Sequence, residues 1–393
     1  MKLKFILMWL FIATSFFLFS QNNELTIKYD TTIFSDIQTD CIGVNLETYI
    51  LNDTLYFIET KKADKDITKI IVNGFDIKTN IFFKFYLNFL NDNYVKSRSS
   101  LHNFWINDDY IYASLGNRVY RYEKNEDENY YSNSSYITKP ILKGDIYSAD
   151  VYKLNNDTLL FYRHYLNTNM HFDKSTFWYL YSLKDQKIIK EREYLDCPSP
   201  ILTYYSPNKV MCFNSTNVFY TPANEYKINI YDYNLNIIDS ISLTKKSNWV
   251  TIDKEKELKT LNKYEFAVER LYEMSKYIWD SSSAILKIQA SDEYLLVFYR
   301  LIINKEAKYF HDIWRKENDK WVLRKETISQ NDDELSTFSD FVLRGNEIFK
   351  FSYKTPLKRE DYKNENEFNK AEDKYKIDND CLLTIDKYHI DAK

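Results

Sequence analysis

Polar turns rich in Asn and Asp, each followed by an apolar run of strand length, recur along this chain. The copies are Leu51–Ile58 (LNDTLYFI), Ile106–Ala113 (INDDYIYA), Leu154–Phe161 (LNNDTLLF), Ser206–Phe213 (SPNKVMCF), Ser291–Phe298 (SDEYLLVF) and Leu343–Phe349 (LRGNEIF). With Asp53, Asp109, Asp157, Asn208, Glu293 and Asn346 as markers, the successive spacings are 56, 48, 51, 85 and 53 residues. Most units continue into a second hairpin. Phe177–Ser182 with Lys187–Leu195, Lys227–Tyr231 with Ile237–Leu243, and Phe310–Arg315 with Lys320–Ile328 are three examples. Strand-like runs punctuated by Asn, Asp and Lys, four to a unit of roughly 50 residues, predict propeller blades. One blade cannot bury both of its apolar faces alone, so stacking around a common axis supplies the core. The pattern therefore predicts an all-β, six-bladed β-propeller.

The long fourth spacing interrupts the pattern with helical periodicity. Asp253 can cap, and Leu261, Tyr264, Val268, Leu271 and Ile278 recur near helical spacing. This predicts a helical insert over about 250–283, between blades four and five. It covers a rim or blade edge, or serves as a lid or docking element. A second excursion, about 354–380, is highly charged and reads as a loop with some helix. The last unit offers only three strands, and Glu24–Tyr29 (ELTIKY) reads as a spare one. It is predicted to complete the last blade, which removes an exposed edge.

Ahead of that strand, residues 1–20 (MKLKFILMWLFIATSFFLFS) carry Lys2 and Lys4, an apolar stretch from Phe5 to Phe19, and small Ser20 before Gln21. This is the layout of a secretory signal peptide. The stretch is short for a membrane span of about 20 residues, the uncleaved anchor being the alternative. The expected organisation is a signal peptide, 1–20, and one propeller domain, 21–393. No later segment is apolar enough to cross a membrane. Loss of Lys2 and Lys4 with the leader would move the formal net charge from −4 to −6. Such a chain lacks the basic footprint of a nucleic-acid binder.

Composition adds two points. Tyr (35) and Phe (26) are abundant while Gly (5) and Pro (6) are scarce. AT-rich codon usage accounts for much of that bias, so the tyrosine count alone is no sign of a ligand-stacking surface. Turns must then rely on Asn and Asp, which tolerate left-handed backbone. The four cysteines, Cys41, Cys197, Cys212 and Cys381, allow three pairings. The closure model brings Cys41 near Cys381, and Cys197 and Cys212 flank one connection. Buried free thiols are the alternative. No Cys/His pattern marks a structural zinc site, so neither metal nor cofactor is expected.

Motifs for chemistry are sparse. The sequence shows no GxSxG elbow, HExxH, phosphate-binding glycine loop or EF-hand. Asn331–Glu334 (NDDE) is an acidic turn, and calcium needs six or more oxygens in fixed geometry. His164, beside Arg163 and near Asp173, forms the best polar cluster; a solvated loop histidine is the alternative. Phe161-Tyr162-Arg163 and Phe298-Tyr299-Arg300 end equivalent strands of units three and five. Arg163, Tyr299 and Arg300 are therefore candidate ligand-binding residues, the arginines clamping a carboxylate or other anion. Pairing with an acid inside each blade is the competing role. Arg163, His164 and Arg300 are the candidate catalytic set. Trp105, Tyr112, Trp178 and Trp314 read as packing or stacking residues. Four Asn-x-Ser/Thr matches, including Asn214-Ser215-Thr216, arise readily in an Asn-rich chain.

With leader, repeats and helical interruption in view, the chain resembles the TolB-like six-bladed propeller proteins exported by Bacteroidota, many without assigned function. It departs from better-known propellers in lacking WD dipeptides and glycine-rich blade turns. The resemblance implies a protein of the periplasm or cell surface of a Gram-negative bacterium. The preferred expectation is a non-catalytic binding or scaffolding propeller for an envelope protein, peptide or glycan. The alternative is a hydrolase or lyase acting on a glycan or peptide at the channel mouth.

Overall fold

A computed structural model of the protein describes residues 25–40, 47–51, 53–59, 69–88, 101–107, 110–115, 118–124, 130–138, 150–163, 176–194, 211–222, 225–243, 249–251, 282–326, 341–355, 357–378 and 380–392. The chain enters in β1 (Leu25–Asp40). A first meander follows: β2 (Glu47–Leu51), β3 (Thr54–Glu59), β4 (Lys69–Asp76) and β5 (Ile81–Asn88). The second is β6 (Leu101–Asn107), β7 (Tyr110–Leu115), β8 (Arg118–Lys124) and β9 (Tyr130–Thr138). The third is β10 (Asp150–Lys153), β11 (Thr158–Arg163), β12 (Thr176–Ser182) and β13 (Lys187–Tyr194). The fourth is β14 (Met211–Phe213), β15 (Asn217–Tyr220), β16 (Lys227–Asp232) and β17 (Ile237–Ser242). The fifth is β18 (Ala284–Ala290), β19 (Tyr294–Ile303), β20 (Glu306–Glu317) and β21 (Lys320–Glu326). The chain ends in β22 (Phe341–Arg344), β23 (Glu347–Lys354), helix α1 (Glu365–Asp378) and β24 (Asp380–Ala392).

The N-terminal strand closes the last sheet, as the spare-strand pattern predicts. That sheet has the order β1-β24-β23-β22, with Leu25 opposite Ala392 and Tyr29 opposite Tyr388. Strands β1 and β24 are thus paired antiparallel over most of their length.

The architecture is an all-β propeller, but the blade count corrects the expectation. The described residues form five hydrogen-bonded sheets, not six. The first and second meanders share one eight-stranded sheet of order β2-β3-β4-β5-β9-β8-β7-β6. The cause is a short parallel pairing of their outer strands, Tyr86–Asn88 against Tyr130–Ser132. The end strands β2 and β6 lie side by side, so this broad sheet folds back on itself. Strand β2 also adjoins β22, β6 adjoins β10, β14 adjoins β18, and β18 adjoins β22. The first strand of each meander therefore lies innermost.

Successive sheets share apolar interfaces. Leu160, Tyr162 and Trp178 pack with Val218, Tyr220 and Tyr231. Ile228 and Ile230 pack with Ile288, Leu295 and Val297. Leu296 and Ile313 meet Leu343 and Ile348, and Phe349 and Ile385 meet Leu55 and Phe75. This is why β19 is almost wholly apolar: it is covered on both faces. Burying one such side chain contributes about 1.5–3 kcal/mol.

Turn chemistry follows the shortage of glycine. Positive φ occurs at Asn80, Asn304, Lys305, Asn318 and Asp319. The adjacent pairs 304–305 and 318–319 are two-residue hairpins with left-handed backbone at both positions.

The expected helical insert at about 250–283 lies mainly outside the described residues. The described α-helix sits elsewhere, between β23 and β24, inside the charged 354–380 excursion. It starts where Asn364 Oδ1 accepts the Glu367 N–H at 2.9 Å, a side-chain N-cap.

Candidate functional site

The repeated polar turns join the first and second strands of each meander, and they share one bonding pattern. The carbonyls of Asp53, Asp157, Glu293 and Asn346 accept the N–H groups of Ile77, Leu183, Lys316 and Ile390, at 2.7–2.9 Å. Each acceptor is a sequence marker, and each donor lies at the other corner of the same blade. The fourth marker is corrected. Asn208 precedes β14, whereas the equivalent turn is Asn214–Thr216, between β14 and β15. Its Asn214 carbonyl accepts the Tyr233 hydroxyl at 2.6 Å.

These turns are also laced to one another. Asn214 Nδ2 donates to the Ser291 carbonyl at 3.3 Å. Ser215 donates its N–H and its hydroxyl to Asp292 Oδ1, at 3.0 and 2.7 Å. Ser291 Oγ donates to the Gly345 carbonyl at 2.9 Å. Arg344 then bridges Glu347 and Asp53, and Lys78 closes on the other Asp53 oxygen. The Lys78 and Arg344 cations hold the Asp53 carboxyl below its usual range. A polar belt thus runs along one rim, from the fourth unit through the fifth and last to the first. The Asn214-Ser215-Thr216 match is part of that belt, not a free acceptor.

The opposite end of the fifth unit holds a buried carboxylate. On β19, alternation sends Tyr299 toward the fourth sheet and Arg300 the other way. Tyr299 is 1% exposed and its hydroxyl donates to Asp312 Oδ1 at 3.0 Å. The Tyr226 hydroxyl donates to Asp312 Oδ2 at 2.5 Å, and Trp314 Nε1 donates to the Tyr226 oxygen at 3.1 Å. Indole N–H can only donate, so the Tyr226 proton must point at Asp312. Burial, then the Asp312 charge, pushes the Tyr226 phenol well above its usual range. The Tyr226 phenol therefore keeps its proton at neutral pH.

Rings frame this carboxylate. Tyr226 meets Tyr299 edge-on at 5.5 Å and Trp249 at 5.9 Å, and Tyr299 stacks on Phe310 at 5.6 Å. Trp249 opens residues 249–251, and Val250 bonds Ser283 twice: its carbonyl accepts the Ser283 N–H at 2.9 Å, and its N–H donates to Ser283 Oγ at 3.0 Å. Arg300, fully buried, donates Nη2 to the Ser282 carbonyl at 2.8 Å. Tyr226, Tyr299 and Arg300 so hold Trp249 and Ser282 against the fourth and fifth sheets.

On the other face of the fifth sheet, Lys287 Nζ donates to the Phe341 carbonyl at 2.8 Å and sits 4.3 Å over the Phe341 ring. His311 is buried nearby, and burial with the Lys325 charge lowers its pKa to about 3.

The remaining predicted residues are placed as follows. Arg163 ends β11 opposite Phe177, so both FYR segments lie on second strands. Their sheets are the third and fifth, with the fourth between them. His164, Cys41 and Cys197 lie outside the described residues. Cys381 lies on β24 opposite Thr39. Cys212 is a free buried thiol in the core between the fourth and fifth sheets, and burial raises its pKa. Trp178 and Trp314 are buried packing residues. The network residues that sequence inspection missed are Asp312 and Tyr226. Asp312 carried a signal: an acid on the inward phase of the apolar run Tyr309–Trp314 (YFHDIW). Among the described residues, no group of three or more His, Cys, Asp or Glu is placed to hold a metal ion. No described helix is long and apolar enough to cross a membrane.

No family model matches the chain, and no curated protein matches it significantly. Solved structures do. A member of the DUF4221 family from Bacteroides vulgatus matches with a TM-score of 0.51 at 9% identity, over 95% of this chain and 100% of that one. A 6-phosphogluconolactonase-like protein from Bacteroides fragilis gives 0.41 at 10% identity, over 84% and 88%. The WD40 domain of Pan2 from Neurospora crassa gives 0.40 at 9%, over 78% and 72%. At such identities the first match shows the propeller fold and says nothing of activity.

Proposed function

We propose that this chain is an exported, non-catalytic binding or scaffolding propeller of the cell envelope, whose ligand is an envelope protein, peptide or glycan. Export and kinship with TolB-like proteins belong to this proposal. Their support is the layout of residues 1–20 and the repeat spacing. The observation that supports the binding reading is the laced rim, which presents exposed Ser215, Asp292 and Asn346. Tyr299 and Arg300 are enclosed and bond Asp312 and the Ser282 carbonyl.

Two measurements test this. N-terminal sequencing of the protein from a fractionated host should find a chain beginning at Gln21 in the envelope or medium; an intact chain in the cytoplasm refutes export. Peptide and glycan panels should then show binding with the ligand recovered unchanged by mass spectrometry. Ligand turnover that disappears in His164→Ala would establish the hydrolase or lyase instead.

A further inference from the structure

We propose that the outer edge of the fourth sheet is a strand able to pair with a second copy of this chain, and that Asp239 keeps it from doing so. Strand β17 ends its sheet and among the described residues pairs only with β16. An edge strand offers unpaired N–H and C=O groups to any matching strand.

This edge carries a bulge, as β13 and β21 do at the matching place: Tyr231 faces Ile237 and Ile230 faces Asp239, which leaves Ile238 as the extra residue. A bulge breaks the alternation of sides. Consecutive isoleucines are both outward, Ile237 at 54% and Ile238 at 55% exposure. What sets this edge apart is charge. The outer strand β13 carries Lys187, Lys190, Glu191, Arg192 and Glu193, and β21 carries Lys320, Arg324, Lys325 and Glu326. Along β17 (IIDSIS) the one charged residue is Asp239.

That residue is also the guard. Asp239 Oδ1 accepts the N–H of Ser240 at 2.8 Å, at an exposed position. A backbone donor at the edge is thereby satisfied locally, beside a carboxylate that a docked strand would have to desolvate.

The occupant that fits is the same strand in a second molecule. A two-fold antiparallel pairing centred on Ile238 sets that residue against its own copy. Asp239 then faces Ile237 of the second copy, so no like charges oppose. Such an interface is isologous and closes at two chains.

Light scattering of the purified protein across a concentration series tests this. The wild type should run as a monomer. Asp239→Ala should self-associate at least about tenfold more strongly and move toward twice the monomer mass. Asp239→Asn keeps an acceptor for the Ser240 N–H and should stay monomeric. Adding Ile238→Lys to Asp239→Ala should restore the monomer. Asp239 is exposed, so its loss leaves the fold intact, as circular dichroism will verify. Monomeric Asp239→Ala, a wild type that already dimerises, or dimerisation of Asp239→Asn equal to that of the alanine variant would each overturn the proposal.

Discussion

Replacing Tyr226 by Phe removes one oxygen that holds two bonds. Its hydroxyl donates to Asp312 at 2.5 Å and its oxygen accepts Trp314 Nε1 at 3.1 Å. A hydrogen bond to a charged group contributes about 1.5–3 kcal/mol, and a stranded buried donor costs about 1–3 kcal/mol more. The expected loss is therefore about 3–5 kcal/mol. Tyr299→Phe removes its bond to the same carboxylate, at 3.0 Å, and should lose only the first part, about 1.5–3 kcal/mol. Denaturant unfolding followed by far-UV circular dichroism measures both, provided the slope with denaturant stays constant. Trp314→Phe supplies the control. In the Tyr226→Phe background it removes the stranded donor, so it should cost less than in the wild type, a coupling of about 1 kcal/mol. Alkaline pH adds a second readout. Tyr226 is held above its usual range, so the unfolded chain gives up that proton first as pH passes about 10. Stability is full below that pH and falls above it, and Tyr226→Phe should flatten the fall. If Tyr226→Phe proves no worse than Tyr299→Phe, or if the Trp314 effects simply add, the proton order drawn for this network is wrong.

Other consequences follow from the same structure. His311 stays neutral in the fold down to about pH 3, whereas in the unfolded chain it binds a proton near the ordinary histidine value of 6.5. Stability is therefore complete above that pH and falls as acid is added toward 3, and His311→Gln should flatten this limb in an acid titration. A Cβ on Gly74 would lie 2.1 Å from the tip of the Phe83 ring. Gly74→Ala should thus cost about 1–3 kcal/mol alone yet be neutral or favourable in Phe83→Ala; equal effects in both backgrounds would remove the explanation. Cys212 is enclosed between the fourth and fifth sheets. Non-reducing peptide mapping should find it free, and a bridge from Cys212 to Cys197 would reject this placement. Deleting residues 21–40 removes β1 and should leave the last sheet open at β24, seen as aggregation or loss of cooperative unfolding.

The all-β propeller architecture was legible because its signals are local. Predicted hairpins 177–195, 227–243 and 310–328 coincide with β12–β13, β16–β17 and β20–β21 to within a few residues. The closing strand was legible too, since a three-stranded last unit and an apolar N-terminal run ask for each other. The fourth marker was misplaced because Ser206–Asn208 and Asn214–Thr216 are both polar, and composition cannot say which turn sits between paired strands.

Sequence alone determined the period of the chain: where most strands start and turn, the first turn of the fourth unit excepted, and that Asn and Asp must turn them. It also determined the FYR segments, though not their use. Only the tertiary structure decided that two meanders fuse through Tyr86–Asn88 and Tyr130–Ser132 into one sheet, reducing six units to five sheets. It alone brought Tyr226 to Asp312 across 86 residues and turned Tyr299 and Arg300 inward. The reason is physical. Alternation and turn propensity act over a few residues and leave a trace in the local pattern. Which outer edges meet, and which hydroxyl reaches a buried carboxylate, depends on how separate blades lean together, and no short stretch of chain encodes that.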